Sequence, residues 1–226
     1  KDNSYFTLSA RRSWVDLLLP VETRQNSLNF NMHDIQATMG KKLKNDGKLE
    51  FSLMNTRDLF FVGIQGDTSS ANLGLHQKWS NLLGSVKYSH NYSSKLSASH
   101  KLAYSNYRSG FDIKITLLDS LVRGAFPTVT QTLTRSIQDI LLHSDWVYQH
   151  SNSQRISYGV QSNTRLFLLG KYEYVAENFA QEPDEEFVGG QNKRSVSEEL
   201  SLYAEDNIRL NDNAILDLGV RTVFYN

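Results

Sequence analysis

The stretch from residue 199 to residue 225 reads ELSLYAEDNIRLNDNAILDLGVRTVFY, and its alternation decides the fold. Successive side chains of a β-strand point to opposite faces, so alternate residues share a face. One face is apolar, with Leu200, Leu202, Ala204, Ile208, Leu210, Leu216, Leu218, Val220, Thr222 and Phe224. The other face is largely polar, with Glu199, Ser201, Tyr203, Glu205, Asn207, Arg209, Asp217, Gly219, Arg221 and Tyr225. The pattern predicts two strands joined by a tight turn, with Asp206 on the apolar face close to that turn.

About nine such alternating stretches follow one another along the chain, joined alternately by short and long connections. The short ones are Lys44-Asn45-Asp46-Gly47, Tyr92-Ser93-Ser94, Ser151-Asn152-Ser153 and Asn211-Asp212-Asn213, and the long ones cover roughly residues 19–27, 64–73, 108–132 and 177–193. Several stretches exceed the roughly 9–11 residues that a tilted membrane strand needs. Tight turns on one rim and long loops on the other are typical of a bacterial outer-membrane barrel. We therefore predict an all-β fold, a transmembrane antiparallel up-and-down β-barrel segment, over a soluble sandwich or propeller.

Composition excludes several other classes of protein. Lys plus Arg and Asp plus Glu both number 24, so no bulk charge attracts nucleic acid. The mean hydropathy is −0.45, and no apolar run approaches the roughly 18–20 residues of a membrane helix. A transmembrane barrel stays compatible with that hydropathy, because only alternate residues face lipid. Cysteine is absent, which excludes disulfides and thiolate metal sites.

Aromatic residues on the apolar parity lie close to the short turns. They are Phe51, Tyr88, Trp146, Tyr148 and Tyr158, each within about six residues of such a turn. An aromatic girdle at the periplasmic interface explains this position, whereas the general preference of aromatic residues for strands explains only their presence.

Residues 131–142 also match the spacing of an amphipathic helix, but the distance to the next turn favours a strand. Leu117 to Val122 could form a short helical turn.

Motifs for enzyme chemistry are missing from the sequence. The six histidines are scattered without the i, i+4 spacing of a zinc helix, and neither a nucleophile elbow nor a phosphate loop occurs. We therefore expect no catalytic residues, no metal site and no cofactor.

Three groups of residues together resemble the TonB-dependent outer-membrane receptors of the Bacteroidetes type. The first joins the opening Lys1-Asp2-Asn3-Ser4-Tyr5-Phe6 to Ser9-Ala10-Arg11-Arg12-Ser13-Trp14-Val15-Asp16-Leu17-Leu18 and is similar to their first barrel hairpin. The second is Ser136-Ile137-Gln138-Asp139 with Leu142, Asp145, Tyr148, Ile156 and Gly159, similar to a mid-barrel hairpin. The third is Ser197-Glu198-Glu199-Leu200-Ser201-Leu202-Tyr203-Ala204-Glu205-Asp206 with Leu216-Asp217-Leu218-Gly219-Val220-Arg221, similar to a later hairpin. The three occur in the expected order and cover nearly the whole chain.

The resemblance implies a 22-stranded barrel filled by a plug domain, which takes up a nutrient across the outer membrane with energy from TonB. Residues 1–226 would be part of that barrel domain, with the plug and the remaining strands outside this chain. The implied partners are outer-membrane lipid, the TonB complex through the missing plug, a nutrient ligand and, as a further candidate, a surface lipoprotein. No nucleic acid is expected.

Charged and polar residues on the predicted lumen side are the candidates for contact with substrate or plug. They are Arg155, Arg165, Glu199, Tyr203, Glu205, Asp217 and Arg221. Pairing of these charges with each other across strands is an equally good interpretation. An adhesin or structural barrel without transport is the main alternative function, and a barrel enzyme is a weaker one.

Overall fold

The computed structural model describes residues 3–15, 21–22, 26–44, 46–66, 71–118, 126–179, 185–189 and 194–226. These residues form one sheet of eleven antiparallel strands. The strands are β1 (Ser4–Arg12), β2 (Val21–Glu22), β3 (Asn26–Lys42), β4 (Lys48–Ile64), β5 (Ala71–Asn91), β6 (Leu96–Leu117), β7 (Thr128–Ser151), β8 (Gln154–Glu177), β9 (Glu185–Gly189), β10 (Arg194–Asn211) and β11 (Ala214–Tyr225). The all-β prediction is confirmed.

Nine of the strands follow each other in an up-and-down order, from β1 at one edge to β11 at the other. The short strands β2 and β9 lie off this path and pair with β3 and β8. Within the described part of the chain, no pairing joins β1 to β11, so the sheet has two open edges. No described segment forms a helix that is long and apolar enough to cross a membrane.

The four predicted short turns are confirmed, because consecutive strands end and begin beside each of them. The predicted long loop over 108–132 is wrong in its bounds, since β6 continues to Leu117 and β7 begins at Thr128. Residues 131–142 lie within β7, which confirms the strand over the helix. The predicted helical turn from Leu117 to Val122 lies mostly outside the described residues, and Leu117 itself ends β6.

The strands are staggered in a way that implies a strong tilt. Lys48 is the first residue of β4. Following the residue paired with it on the next strand, and so on across six further strands, leads to Arg221. Arg221 lies seven residues beyond Ala214, where β11 begins. With about 3.3 Å per residue and about 4.8 Å between strands, this stagger corresponds to a tilt of roughly 40°. Transmembrane barrels have tilts of about 35–45°.

The register divides the side chains between two faces, which we name the Leu202 face and the Tyr203 face after adjacent residues of β10. Near the short turns, the Leu202 face is mainly apolar on each long strand. It carries Phe6, Met39, Phe51, Val86, Leu102, Leu142, Leu200 and Phe224 in a single row of paired residues, broken only by Ser162. Asp206 also lies on this face, where Gln154 Nε2 donates a hydrogen bond of 2.7 Å to its carboxylate.

The aromatic residues predicted for a girdle all lie on the Leu202 face and near the short turns. Trp146 is at their centre, with ring centroids 5.5 Å from Tyr92, 5.4 Å from His100 and 6.4 Å from Tyr158. Its Nε1 donates to Ser144 Oγ at 3.0 Å, so its polar edge is satisfied. Amphipathic rings that group at one height of a sheet are typical of a membrane interface.

Farther from the short turns the two faces exchange their character. The Leu202 face there carries mostly polar residues, among them Asn29, Asn31, His76, Lys78, Asp112, Lys114, Thr130, Thr132 and Thr134. The Tyr203 face there is mostly apolar, with Leu28, Phe30, Phe60, Val62, Leu73, Leu75, Phe111, Ile113, Ile115, Val129 and Leu133. The apolar part of the Leu202 face is therefore a band of limited height.

Candidate functional site

All seven predicted lumen residues lie on the Tyr203 face. Tyr203 is paired with Arg221, and Glu199 lies four residues from Tyr203 on the same strand. Arg165 is paired with Ser197, and Arg155 and Asp217 are both paired with Asn207. Glu205 pairs with Gly219 and completes the group. The alternation in the sequence thus places these residues together on three neighbouring strands, β8, β10 and β11.

Tyr203 reaches across a neighbouring strand to a third one. Its ring lies over Gly159 of β8, and its hydroxyl donates a hydrogen bond to Asp145 of β7. His143 Nε2 lies 2.8 Å from the same carboxylate. A Cβ on Gly159 would meet the Tyr203 ring and the Ser144 carbonyl oxygen, both at 2.6 to 2.7 Å. Glycine at this position is therefore what lets the tyrosine cross the strand.

The same arrangement occurs at the other edge of the sheet. Tyr5 of β1 lies over Gly40 of β3, and its hydroxyl donates to Glu50 Oε1 of β4 at 2.5 Å. In both places a tyrosine, a glycine and a carboxylate from three consecutive strands of the sheet form one unit on the Tyr203 face. Each unit joins strands that are not themselves paired.

We expect Gly159→Ala to destabilise the folded protein by about 1 kcal/mol, because the new methyl group must displace the tyrosine or the Ser144 carbonyl. Gly110→Ala is the matched control, since its Cβ would have no neighbour within 4 Å. Denaturant titration of the full-length protein in detergent or lipid measures both. Equal stability of the two variants would contradict the close approach of Tyr203 to Gly159.

Arg165 forms the centre of a second group. Its Nε lies 3.0 Å from Asp139 Oδ1, and its Nη1 lies 3.7 Å from Glu199 Oε2. Ser105 Oγ donates to the Asp139 carboxylate at 3.3 Å, and Ser201 Oγ donates to Glu199 at 3.2 Å. For Arg165 and Glu199, the structure thus favours pairing across strands, one of the two interpretations that the sequence left open.

Four of the candidates, Tyr203, Glu205, Asp217 and Arg221, line a hollow of about 570 Å³ next to β11, and Arg155 is not part of its lining. Its polar lining consists of His143, Gln161, Tyr203, Glu205, Asp217 and Arg221. Arg221 Nη2 donates to Ser201 Oγ at 3.2 Å, and Asn207 donates to Asp217. The hollow offers both signs of charge and several hydrogen-bonding groups. Its lining suits a polar chain or a polar ligand. Among the described residues, no group of three His, Asp or Glu side chains is arranged to hold a metal ion.

Two acceptors on this face lack a hydrogen-bond partner in the described structure. Asn163 is 7% exposed, and its Oδ1 has no hydrogen bond. Asn81 Oδ1 also lies on the Tyr203 face and also lacks a hydrogen bond. On the Leu202 face, the buried atoms without a hydrogen bond are His90 Nδ1, Asn106 Oδ1 and Asp206 Oδ1. A buried amide oxygen without a donor is unfavourable by about 1–3 kcal/mol. Asn163 and Asn81 thus mark places where a donor from elsewhere would stabilise the wall.

Sequence reasoning missed the apolar residues of the Tyr203 face near the long loops. Phe111, Ile113 and Ile115 alternate with Asp112, Lys114 and Thr116, so the signal was present in the sequence. It was hidden because the segment was assigned to a loop and because the polar and apolar faces are exchanged there. These residues belong to the same face as Tyr203, Arg165 and Arg221.

No model of a known protein family matches the sequence, and no curated protein matches it. Among solved structures, the chain aligns over 99% of its length with the ferric yersiniabactin uptake receptor FyuA from Yersinia pestis, at 10% identity and a TM-score of 0.49. The aligned part is 39% of that receptor, so the chain spans less than half of its length. The KdgM porin aligns over 69% of this chain and 99% of its own, at 12% identity and a TM-score of 0.14. A bacterial polysaccharide outer-membrane secretin aligns over 98% of this chain and 90% of its own, at 9% identity and a TM-score of 0.14.

Proposed function

We propose that this chain is part of an outer-membrane transport receptor that takes up a nutrient by TonB-dependent transport. The observation that carries the proposal is the division of the strands into an apolar band on one face and a polar, hydrogen-bonding wall opposite. A soluble sandwich would bury its apolar face in a core. Here, the large hydrophobics of the band are exposed, with Leu142 and Leu218 at 54% and Val220 at 66%.

In this proposal the Leu202 face contacts lipid and the Tyr203 face lines the lumen. The short turns then lie in the periplasm and the long connections outside the cell. Further strands beyond β1 and β11 would complete the barrel, since lipid leaves an open edge unsatisfied. A barrel of that width needs a filling, and the polar wall around Tyr203 and Arg221 suits a plug domain.

The exchange of polarity along the Tyr203 face supports two zones in the lumen. The polar zone near the short turns, with the acceptor of Asn163, would contact the plug. The apolar zone near the long connections, with Phe60, Leu75 and Ile113, would line the chamber where the nutrient first binds. Recognition residues concentrate on loops above a rigid scaffold, so the connection around residues 178–192 would contribute to binding. TonB would act on the plug, and a surface lipoprotein could cover the chamber.

The test uses the full-length receptor in its own cells, with the nutrient identified by growth on candidate sources. Losing TonB should abolish uptake and leave binding to the cells intact. Deleting residues 178–192 should reduce binding, whereas a deletion of the same kind in a short turn should reduce insertion of the protein instead. Uptake that continues without TonB would favour a passive pore, and binding without any uptake would favour the adhesin or structural barrel.

A further inference from the structure

Three paired glycines of the described main strands lie on the Tyr203 face, and each of them lies opposite a carboxylate. These pairs are Gly40 with Glu50, Gly159 with Asp145, and Gly219 with Glu205. In the first two, a tyrosine is paired with the glycine from its other side, Tyr5 with Gly40 and Tyr203 with Gly159. Gly219 belongs to β11, the last strand of the sheet, so its other side is the open edge. The third pair thus repeats the glycine and the carboxylate of the two tyrosine units.

The glycine of the Tyr203 unit bonds to the strand that carries its tyrosine. In an antiparallel ladder, hydrogen-bonded and non-hydrogen-bonded pairs alternate, so a residue bonds to one neighbouring strand and not to the other. Arg209 N donates to Ser153 O at 2.7 Å, between β10 and β8. The Tyr203–Gly159 pair lies an even number of residues from this bond, so it is a hydrogen-bonded pair as well.

The Tyr5 unit follows the same rule. Lys42 N donates to Asn3 O at 2.7 Å, and the Gly40–Tyr5 pair again lies an even number of residues away. This pair is therefore hydrogen-bonded, and the pairing of the glycine with the carboxylate strand is not. In both units, the backbone groups of the glycine are directed to the strand with the tyrosine.

Gly219 has its backbone groups directed to the open edge. Glu198 and Asn226 exchange two backbone hydrogen bonds, of 3.1 and 3.0 Å, between β10 and β11. The Glu205–Gly219 pair lies an odd number of residues from them, so it is not hydrogen-bonded. A strand that pairs with β11 would therefore bond to Gly219 as β10 bonds to Gly159.

Glu205 and the space over Gly219 are both accessible to a side chain from such a strand. Among the described residues, Glu205 has no hydrogen bond and no ion pair, whereas Asp145 accepts a hydrogen bond from Tyr203. A Cβ on Gly219 would have no neighbour closer than 3.8 Å. Both residues line the hollow of about 570 Å³ next to β11, which is large enough for an aromatic ring.

We propose that the strand that pairs with β11 in the full-length protein carries a tyrosine opposite Gly219, with its ring over the glycine and its hydroxyl donating to Glu205. Two strand spacings, about 10 Å, separate this tyrosine from the carboxylate, and a ring can lie across the middle strand where that strand has no side chain. β1 of a second copy is not this strand, because the nine main strands alternate in direction and β1 runs parallel to β11. The inference rests on the barrel of the proposed function, and only on its need for an antiparallel strand at this edge.

Disulfide cross-linking of the full-length protein in lipid identifies the residue opposite Gly219. Val220 forms a hydrogen-bonded pair with Ala204, so towards the next strand it occupies a non-hydrogen-bonded position, where paired side chains are closest. Val220→Cys is combined with single cysteines along that strand. Leu218→Cys is the matched control, and its best partner should lie two positions later than that of Val220→Cys. We expect the residue between the two partners to be a tyrosine.

Stability measurements on the full-length protein test the contact itself. Gly219→Ala is expected to shift the urea midpoint to lower urea about as much as Gly159→Ala, because each added methyl group would meet a tyrosine ring. Gly110→Ala, with no atom within 4 Å of its Cβ, should stay at the wild-type midpoint. Replacing the tyrosine opposite Gly219 by phenylalanine should also lower the midpoint, and this loss should be absent in a Glu205→Ala background.

A residue other than tyrosine between the two cross-linked partners would overturn the inference and leave TonB-dependent uptake untouched. An unchanged midpoint for Gly219→Ala would also overturn it, because the hollow over Gly219 would then stay open, as a site for a polar ligand requires. Equal losses from the phenylalanine change in both backgrounds would overturn it as well, since Glu205 would not accept the hydroxyl. Uptake that continues without TonB would contradict the proposed function, and a tyrosine opposite Gly219 would still stand.

Discussion

Replacing Leu142 with arginine is expected to destabilise the membrane-inserted protein by about 2–4 kcal/mol, the penalty for arginine at the lipid face of a barrel midplane. Leu142 lies on the Leu202 face between Leu102 and Ser162, in the middle of the apolar band of β7, and is 54% exposed. In the proposed orientation this exposed surface is covered by lipid. The new guanidinium would have no polar partner at that depth.

The adjacent leucine offers the matched control. Leu141 lies on the Tyr203 face, between Ala103 and Asn163, so Leu141→Arg directs the same charge to the lumen wall. We expect it to reduce stability by less than half as much. Folding of the full-length protein into lipid vesicles during urea titration measures both variants. A larger loss for Leu141→Arg would mean that the two faces have been assigned to lipid and lumen the wrong way round.

Probes at a second pair of neighbouring residues test the same assignment of the two faces without a measurement of stability. Cysteine probes at Leu218 and Asp217 should report lipid and water, respectively, because the two positions lie on opposite faces of β11. The reverse result would contradict the orientation, even if both arginine variants fold.

The residues near the short turns could be assigned from the sequence, because the alternation of a strand is a local property. Residues 199–225 alone place Leu202 and Val220 on one face and Tyr203 and Arg221 on the other, as the register shows. Turn residues such as Asn211 and Asp212 then set which strands pair. Face and turn together determine the up-and-down order that the structure has.

The long-loop halves of the strands were missed for two physical reasons. The polarity of the faces is exchanged there, so Ile113 and Lys114 break the pattern that identified the membrane strands. In addition, β8 contains an irregularity between Leu168 and Lys171 that places one extra residue opposite β7. A bulge of this kind shifts every later side chain to the other face, so parity counted from Gln154 no longer holds at Glu173.

Contacts between distant strands could not be predicted either. The alternation places Tyr203 on the polar face of its strand. It does not show that the tyrosine ring crosses Gly159 to reach Asp145. That contact depends on the register of three strands and on the length of the tyrosine side chain. The same holds for Arg165, whose two carboxylate partners come from β7 and β10.

Charge reversal at Arg165 is expected to destabilise the protein by about 2 kcal/mol, within the range of a substitution that breaks an ion-pair network. Arg165→Glu removes the ion pairs with Asp139 and Glu199 and places a third carboxylate between them. Both ion pairs are partly exposed, since 41% of the Arg165 side chain is accessible to solvent. Each pair therefore contributes much less to the free energy of unfolding than a buried ion pair would. Repulsion between the three acidic groups adds to the loss.

Two variants make this prediction specific. Arg155→Glu makes the same change on the same face, but the described residues give Arg155 no ion pair, so its effect should stay within about 0.5 kcal/mol. The double variant R165E/D139R restores an opposite pair and should recover part of the lost stability. Denaturant titration of the full-length protein in lipid gives the stabilities of the wild type and the three variants.

If the proposed function holds, the uptake of a nutrient by these variants decides between the two roles proposed for the charges of the Tyr203 face. If Arg165 only joins strands, R165E/D139R should transport like the wild type once its stability is recovered. If Arg165 also holds the plug or the nutrient, transport should stay low in the double variant although the protein is stable. The geometry of the Arg165 group, with both carboxylates already bonded to serine hydroxyls, leads us to expect the first result. Persistent loss of transport in a stable double variant would contradict it, and would assign Arg165 to the transport path.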